Sequence, residues 1–509
     1  MKKILYSLFT ITLLLILITS CKDEVPFSKD KEIPDKSVNI VTQFVYDGMS
    51  SFYLWSNEVT SKKPTVNDTE PEEYFYKILN STDTLHGWSW ITDDVESLMA
   101  GFEGESTDAF GFQPQALYED TTRVRLVGFV RYVYPNTPAD KAGIKRGDVI
   151  THANGSLLTI NNYSIMYGAN AKTTFTVLDQ NFENPRDIEI IPAKINTDPV
   201  LYSNIYEGEG FNGRKIGYLF YTNFYENYNE SLFRAFSEFK SSGITDLVLD
   251  LRYNPGGGIS AATYLASLIA PVAEVQKNSV FTIMSYNKYV NDAYDKKNWD
   301  RSDYLGDYNS IKYSNPINAN VNKGDLKLYI ITSSSSASAS ELLTFCLKPF
   351  MPVEHIGETT SGKYTASWTL HAYNTFEDRA QPVYVESSLT KDEKKDLDKW
   401  AMQPIVGRFT DKDNKNFIST NGLIPNHPVD ETERNERNTA KWKPIGDTDD
   451  YLFAKAISLI TGKPYTVPQT RSALDIQLHD AELYSTMESV FREGVIIDNP
   501  KMLPPLTME

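Results

Sequence analysis

Two stretches of this chain follow one grammar. "DLVLDLRYNPGGGISAATYLASLIA" from Asp246 and "KLYIITSSSSASASELLTFCL" from Lys327 each start as a short apolar run, pass through a turn of small residues, and continue as a helix. A run apolar at successive positions is a strand buried on both faces, so it needs cover above and below. Such strands alternating with helices build βαβ units around a mainly parallel sheet. "KIGYLFYTNF" from Lys215 and the amphipathic "ESLFRAFSEFKSSG" from Glu230, closed by Gly243, extend the pattern upstream. An α/β domain is expected over residues 196–465.

The second turn raises a question of chemistry. Its six serines within eight residues, Ser333 to Ser340, would suit a flexible linker if they stood alone. The strand before them and the helix after them exclude that reading. Ser338 and Glu341 have capping-box spacing, with Ser338 as N-cap. A helix N-terminus also stabilises developing negative charge, so the same position suits a nucleophile. A serine hydroxyl is a poor nucleophile until a base takes its proton. None of the six histidines (His86, His152, His355, His371, His427, His479) lies in a triad motif or a metal-type pair. "ETTSGKYTAS" instead offers Lys363 after Gly362, and a lysine acts as a base where desolvation leaves it neutral. Each residue also has a plain reading: Ser338 as a helix cap, Lys363 as a solvated charge, "NPGGG" as a turn after a buried strand.

A length of 509 residues implies two or three domains. Met1 to Lys3 supply positive charge, and "ILYSLFTITLLLILITS" then runs apolar to Cys21, the layout of a secretory signal over residues 1–21. Residues 22–37 are polar and read as a tether. From 38 to 104, apolar residues recur at three and four, predicting a small helical N-terminal domain. Residues 105–195 hold strand-like "TRVRLVGFVRYVYP", "AKTTFTVLD" and "DIEIIPAKI". A net charge of −17 speaks against a nucleic-acid partner. If Cys21 is modified where the leader ends, only Cys346 remains, so no disulfide framework is possible within the mature chain and Cys346 reads as a small core residue. No metal or cofactor is expected. Within 466–509, "DIQLHDAELYSTMESVFREG" leaves a packed helix and a partner-binding segment both open.

Three motifs carry family resemblances. "NTPADKAGIKRGDVITHANG" resembles the PDZ domain, and Phe110, Gly111 and Phe112 in "AFGFQP" match that family's peptide-carboxylate loop. A glycine there turns successive N–H groups into one hollow, and the flanking rings would line a pocket for the peptide's last residue. "DLRYNPGG" (Asp250 to Gly257), "SASASE" and "GETTSGK" resemble the C-terminal processing, or tail-specific, serine peptidases. That resemblance implies a PDZ domain ahead of a catalytic domain of crotonase-like ββα units. It implies Ser338 as nucleophile, Lys363 as general base, and oxyanion donors from Gly256 or Gly257 and from Ala339. The family's base-orienting Gln is here Ser367, and Asn426 in "GLIPNHPVDE" stands in an Asp place. "ITSC" resembles a bacterial lipobox, and "KDE" after it resembles the surface signal of Bacteroidetes lipoproteins. The implied protein is a lipid-anchored endopeptidase of the outer membrane, acting on unstructured or C-terminal regions of envelope or extracellular polypeptides. The alternative is a non-catalytic peptide- or ligand-binding lipoprotein on the same fold.

Overall fold

The computed structural model describes residues 38–119, 122–168, 171–417, 421–429, 442–465, 479–480, 495–498 and 500–507. The expected signal peptide with Cys21 and the tether lie outside the described residues. No described helix is long and apolar enough to cross a membrane.

Six strands form the central sheet, in the order Val200–Tyr206, Ile216–Tyr221, Asp246–Asp250, Lys327–Thr332, Val353–Gly357 and His427–Pro428. The first pair is antiparallel and each later pair parallel, the α/β arrangement that the alternating pattern predicts. Successive strand residues face opposite sides. Leu247 and Leu249 enter one core with the helices Asn229–Ser242, Ile259–Ile269 and Ala339–Leu347, while Val248 enters another with Tyr451, Leu452 and Phe453. Leu328 and Ile330 part from Tyr329 and Ile331 in the same way. Cover on both faces is why these runs carry no polar alternation; each aliphatic side chain so buried contributes about 1.5–3 kcal/mol.

Register sets up the site. Asp250 lies opposite Ile331, and Thr332 opposite Gly357, so three neighbouring strands end level. The segments 251–258, 333–338 and 358–364 therefore leave the same carboxyl edge side by side. Ligands of open α/β sheets bind at that edge.

A second six-stranded sheet runs Gly257–Gly258, Val495–Ile496, Thr365–Ser367, Ile405–Asp411, Val280–Tyr286 and Ser302–Tyr304. The N-terminal helix Ile40–Phe52 is capped by Asn39, whose Oδ1 accepts the Val41 amide at 2.8 Å. Its Phe44, Val45, Met49 and Phe52 share a core with Trp368, Tyr384, Leu503 and Leu506. The helical start and the last described residues thus close over the same interior.

The strands Phe112–Tyr118, Leu126–Val133, Val149–Ala153, Thr173–Leu178 and Arg186–Ile190 form a separate antiparallel body with its own core. Tyr132 and Tyr134 leave that core to pack with Phe220 and Tyr253 of the main body. Of the residues 475–494, only His479–Asp480 are described, and these pair as a strand with Leu117 and Tyr118.

Candidate active site

The glycine turn is held open by Asn254. Its Nδ2 donates to Tyr221 O at 3.0 Å, and its Oδ1 accepts the Gly256 amide at 2.9 Å. Gly256 and Gly257 have φ of +117° and +133°, a region that side chains disfavour. The Gly256 N–H is thereby committed to its own turn, which makes Gly257 the candidate of the two glycines for an oxyanion donor. Ala339, the other candidate, supplies the first amide of the helix Ala339–Leu347.

Three serines of the run bond the neighbouring turn. Ser333 Oγ donates to Arg252 O, Ser336 Oγ to Leu251 O at 2.7 Å, and Ser340 Oγ to Asn254 O at 2.9 Å. These bonds stitch the serine turn to the glycine turn. Ser338 differs: its backbone has φ 60° and ψ −106°, positive φ at a non-glycine residue. Such a conformation costs of order 1–3 kcal/mol and persists only where the surroundings enforce it.

Glu341 is what enforces it. Its Oε2 accepts the Ser338 amide at 2.7 Å and the Lys363 amide at 2.9 Å. Its Oε1 accepts the Gly362 amide at 2.7 Å and Thr360 Oγ1 at 2.5 Å. One buried carboxylate therefore fixes the backbones of both candidate residues, 25 positions apart. Burial pushes this carboxyl up, and the Thr360 hydroxyl and the three amides oppose that rise. Ser338 is fully buried and Lys363 is 6% exposed, so the lysine sits in the desolvated setting a neutral amine requires.

The helical N-terminal segment contributes a residue that the motifs do not mark. Asp83 accepts Tyr53 OH at 2.7 Å and the Ser89 amide at 2.8 Å, and its carboxyl lies in the field of Lys363. Burial raises the Asp83 carboxyl most, while the two hydrogen-bonded neighbours and Lys363 pull it down. Trp88 packs edge-on to Tyr364 at 5.6 Å, tying this segment to the lysine loop. An isolated Asp in the first turn of the short helix Ser81–His86 carries no sequence signal, which is why only the structure finds it.

Ser367 lies on the strand after Lys363, buried, with its carbonyl accepting the Ile497 amide at 3.1 Å. Asn426 Oδ1 accepts the His355 amide at 2.6 Å and so pins the neighbouring strand. Cys346 is buried in the core. In the antiparallel body Gly111 has φ +98°, and a Cβ there would lie 2.2 Å from Thr137. The Phe110 and Phe112 rings stack on each other and meet Phe175 at 5.0 and 5.8 Å. Both rings are core residues of that body, at 2% and 7% exposure. The same body reaches the site through Arg131, whose Nη2 donates to Ser335 Oγ at 3.1 Å and whose guanidinium lies over the Tyr253 ring.

The comparisons with known proteins agree with this layout. Residues 215–429 match the model for peptidase family S41, residues 41–90 the S41 N-terminal domain, and residues 129–164 the PDZ domain. The chain is 26% identical over 235 residues to carboxy-terminal processing protease CtpB of Bacillus subtilis, covering 46% of this chain and 43% of that protein. It is 29% identical over 234 residues to carboxyl-terminal-processing peptidase 2 of Arabidopsis thaliana, covering 45% and 40%. The alignments thus span less than half the length of these relatives. A solved S41 protease chain from Bacteroides fragilis superposes with a TM-score of 0.61 at 23% identity, covering 86% of this chain and 100% of that one, which shows a common fold. The chain thus carries a peptidase family S41 domain, an S41 N-terminal domain and a PDZ domain, and is similar to C-terminal processing proteases over less than half of its length.

Proposed function

We propose that this chain is a serine endopeptidase working through a Ser338–Lys363 dyad on unstructured or C-terminal regions of polypeptides. The observation that carries the reading is the Glu341 carboxylate, which ties the amides of Ser338 and Lys363 into one buried unit. Neutral Lys363 takes the Ser338 proton as Oγ attacks the scissile carbonyl. The oxyanion lies on the Gly257 and Ala339 amides, in a dry site where such donors count most. The C–N bond breaks as Lys363 returns the proton to the leaving amine. Water, deprotonated by the same lysine, then hydrolyses the acyl-enzyme and releases Ser338. Ser367 is placed on the strand after Lys363 where it serves to orient the base, and the turn Phe110–Gly111–Phe112 marks the end of the PDZ edge that receives the peptide.

Cys21 carries lipid after removal of the leader, and the protein is held to the outer membrane and displayed from the envelope. The basis is the "ITSC" sequence after an apolar leader. Incorporation of a labelled fatty acid by the parent and not by Cys21→Ser tests the anchor.

The activity is tested by incubating the chain from Asp23 onward with an unfolded protein bearing an apolar C-terminus and following fragments by mass spectrometry. Cleavage by the parent and by neither Ser338→Ala nor Lys363→Ala supports the dyad. Intact substrate in all three, with binding retained, replaces it with a peptide-binding lipoprotein. Equal cleavage in all three removes the assignment.

A further inference from the structure

The glycine turn and the strand that follows Lys363 do not pair with each other. Between them lies Val495–Ile496, parallel to both: Val495 is opposite Gly257 and Ala366, and Ile496 is opposite Gly258 and Ser367. The Ile497 amide continues the ladder to Ser367 O at 3.1 Å. The strand therefore runs beside Gly257, whose neighbour Gly256 packs against Ser338, and beside the strand that starts two residues after Lys363. A peptide to be cleaved must lie within reach of these same groups.

We propose that this gap is a strand-shaped slot for an extended peptide, and that residues 495–498 fill it as the chain's own competitor of substrate. The identity of the displaced ligand rests on the peptidase reading. Recognition in such a slot is through main-chain hydrogen bonds, tolerant of sequence, with side chains adding preference. The resident segment shows the preference. Ile496 and Ile497 are buried. The Asp498 carboxylate accepts from Ser260 Oγ and from the Ser260 amide at 3.3 Å, in the first turn of the helix Ile259–Ile269. A Cβ on Gly258 would lie 2.3 Å from Asp498 Oδ2, so glycine leaves the room that this carboxylate takes. The ligand class is an extended peptide with two apolar residues followed by an acidic one.

A second piece of the same extension behaves alike. His479–Asp480 adds antiparallel to Leu117–Tyr118, on the outer edge of the strand that leaves the Phe110–Gly111–Phe112 turn. Strand addition at a sheet edge is how PDZ domains take peptides. Both described strands of the extension thus lie along edges that a substrate would use.

The test uses full chains carrying Ser338→Ala, so that nothing is cut. A fluorescent peptide spanning Gly494 to Lys501 is titrated into this protein and into one further carrying Ile496→Asp and Asp498→Lys. A resident competitor lowers apparent affinity by the fraction of time the slot is open, so the unseated variant is expected to bind at least about ten-fold more tightly. Equal binding by both proteins, or none by a variant that melts cooperatively, overturns the proposal. Where the variant fails to fold, hydrogen exchange of residues 495–498 in the Ser338→Ala chain decides. Faster exchange on saturation with an unfolded polypeptide supports displacement, and unchanged exchange overturns it. Because neither readout needs chemistry, peptide binding by a chain that never cleaves keeps the slot and sinks only the peptidase reading.

Discussion

A Cβ placed on Gly256 would lie 3.0 Å from Ser338 Cβ and 3.1 Å from the Ala339 amide nitrogen. Glycine at 256 is therefore a condition for Ser338 to occupy its strained backbone and for the helix amide to face the same point. Gly256→Ala is expected to lower kcat by about 100-fold or more, the scale of losing an oxyanion donor. At φ +117° it also costs about 1 kcal/mol or more in stability. Steady-state kinetics beside urea unfolding separates the two effects; near-parental kcat would mean that the turn does not shape the site.

Glu341→Gln keeps the shape of the side chain but puts an amide NH2 where one carboxylate oxygen accepts two donors. At least one of the four bonds is lost and a backbone N–H is left unpaired, at about 1–3 kcal/mol. The expected result is a fall in kcat with KM little changed and an altered pH–rate profile, since the backbone of Lys363 shifts. A variant that merely melts earlier, with the parental profile intact, would show Glu341 to be a cap only.

Arg252 is fully buried between two carboxylates. Its Nε bonds Asp250 at 2.9–3.0 Å, and its Nη atoms meet Asp450 in a two-pronged pair at 3.0 and 2.7 Å. Asp450 also caps the helix Tyr451–Thr461, its side chain accepting the Phe453 amide. Arg252→Met leaves both carboxylates without their cation, and removing one partner of a buried pair costs about 3–5 kcal/mol. A drop in the urea midpoint at unchanged slope is the expected observation; an unchanged midpoint would refute the assignment.

Burial, followed by the charge of Asp498, pushes the Glu226 carboxyl up to about 7, and the same two causes carry Asp303 to about 7. The folded chain thus holds protons that the unfolded chain releases near pH 4–4.5. Stability from these groups is full below that range and falls as pH rises through about 7. Asp498→Asn removes the shared neighbour, so its stability should decline less steeply across this window. Thermal melts from pH 4 to 8 on both proteins give the comparison; parallel curves would argue against the coupling.

Elements with a repeating pattern were readable before any coordinates. The runs at Asp246 and Lys327 are apolar throughout because Leu247 and Val248, or Ile330 and Ile331, enter different cores. The capping-box spacing of Ser338 and Glu341 was equally visible, since it is local. Nothing in that spacing says that the same carboxylate also holds Gly362 and Lys363, because hydrogen bonds to distant amides leave no trace in side-chain pattern. Asp83, Asp450 and Asp498 were hidden for a related reason. Each is one acid among 67 acidic residues, and only the fold sets it beside Lys363, Arg252 or Ser260. Phe110 and Phe112 stood out by motif, and their stacking on each other and burial came only with the fold.

The shared interior of the first helix and the last residues sets an order of events in time. Leu54 N bonds Ile405 O, and Leu506 pairs with Val383 and Val385, so the main body is sewn from stretches hundreds of positions apart. Contacts so distant form late, because the closing of long loops comes before their reward. The PDZ body, with its core drawn from residues 110–190, is free to form first. A nascent chain that has already emerged past Lys363 would hold both members of the candidate dyad and still lack the strand that pairs with Gly257 and Ala366. The slot beside Gly257 would stand open until residues 495–498 arrive to fill it.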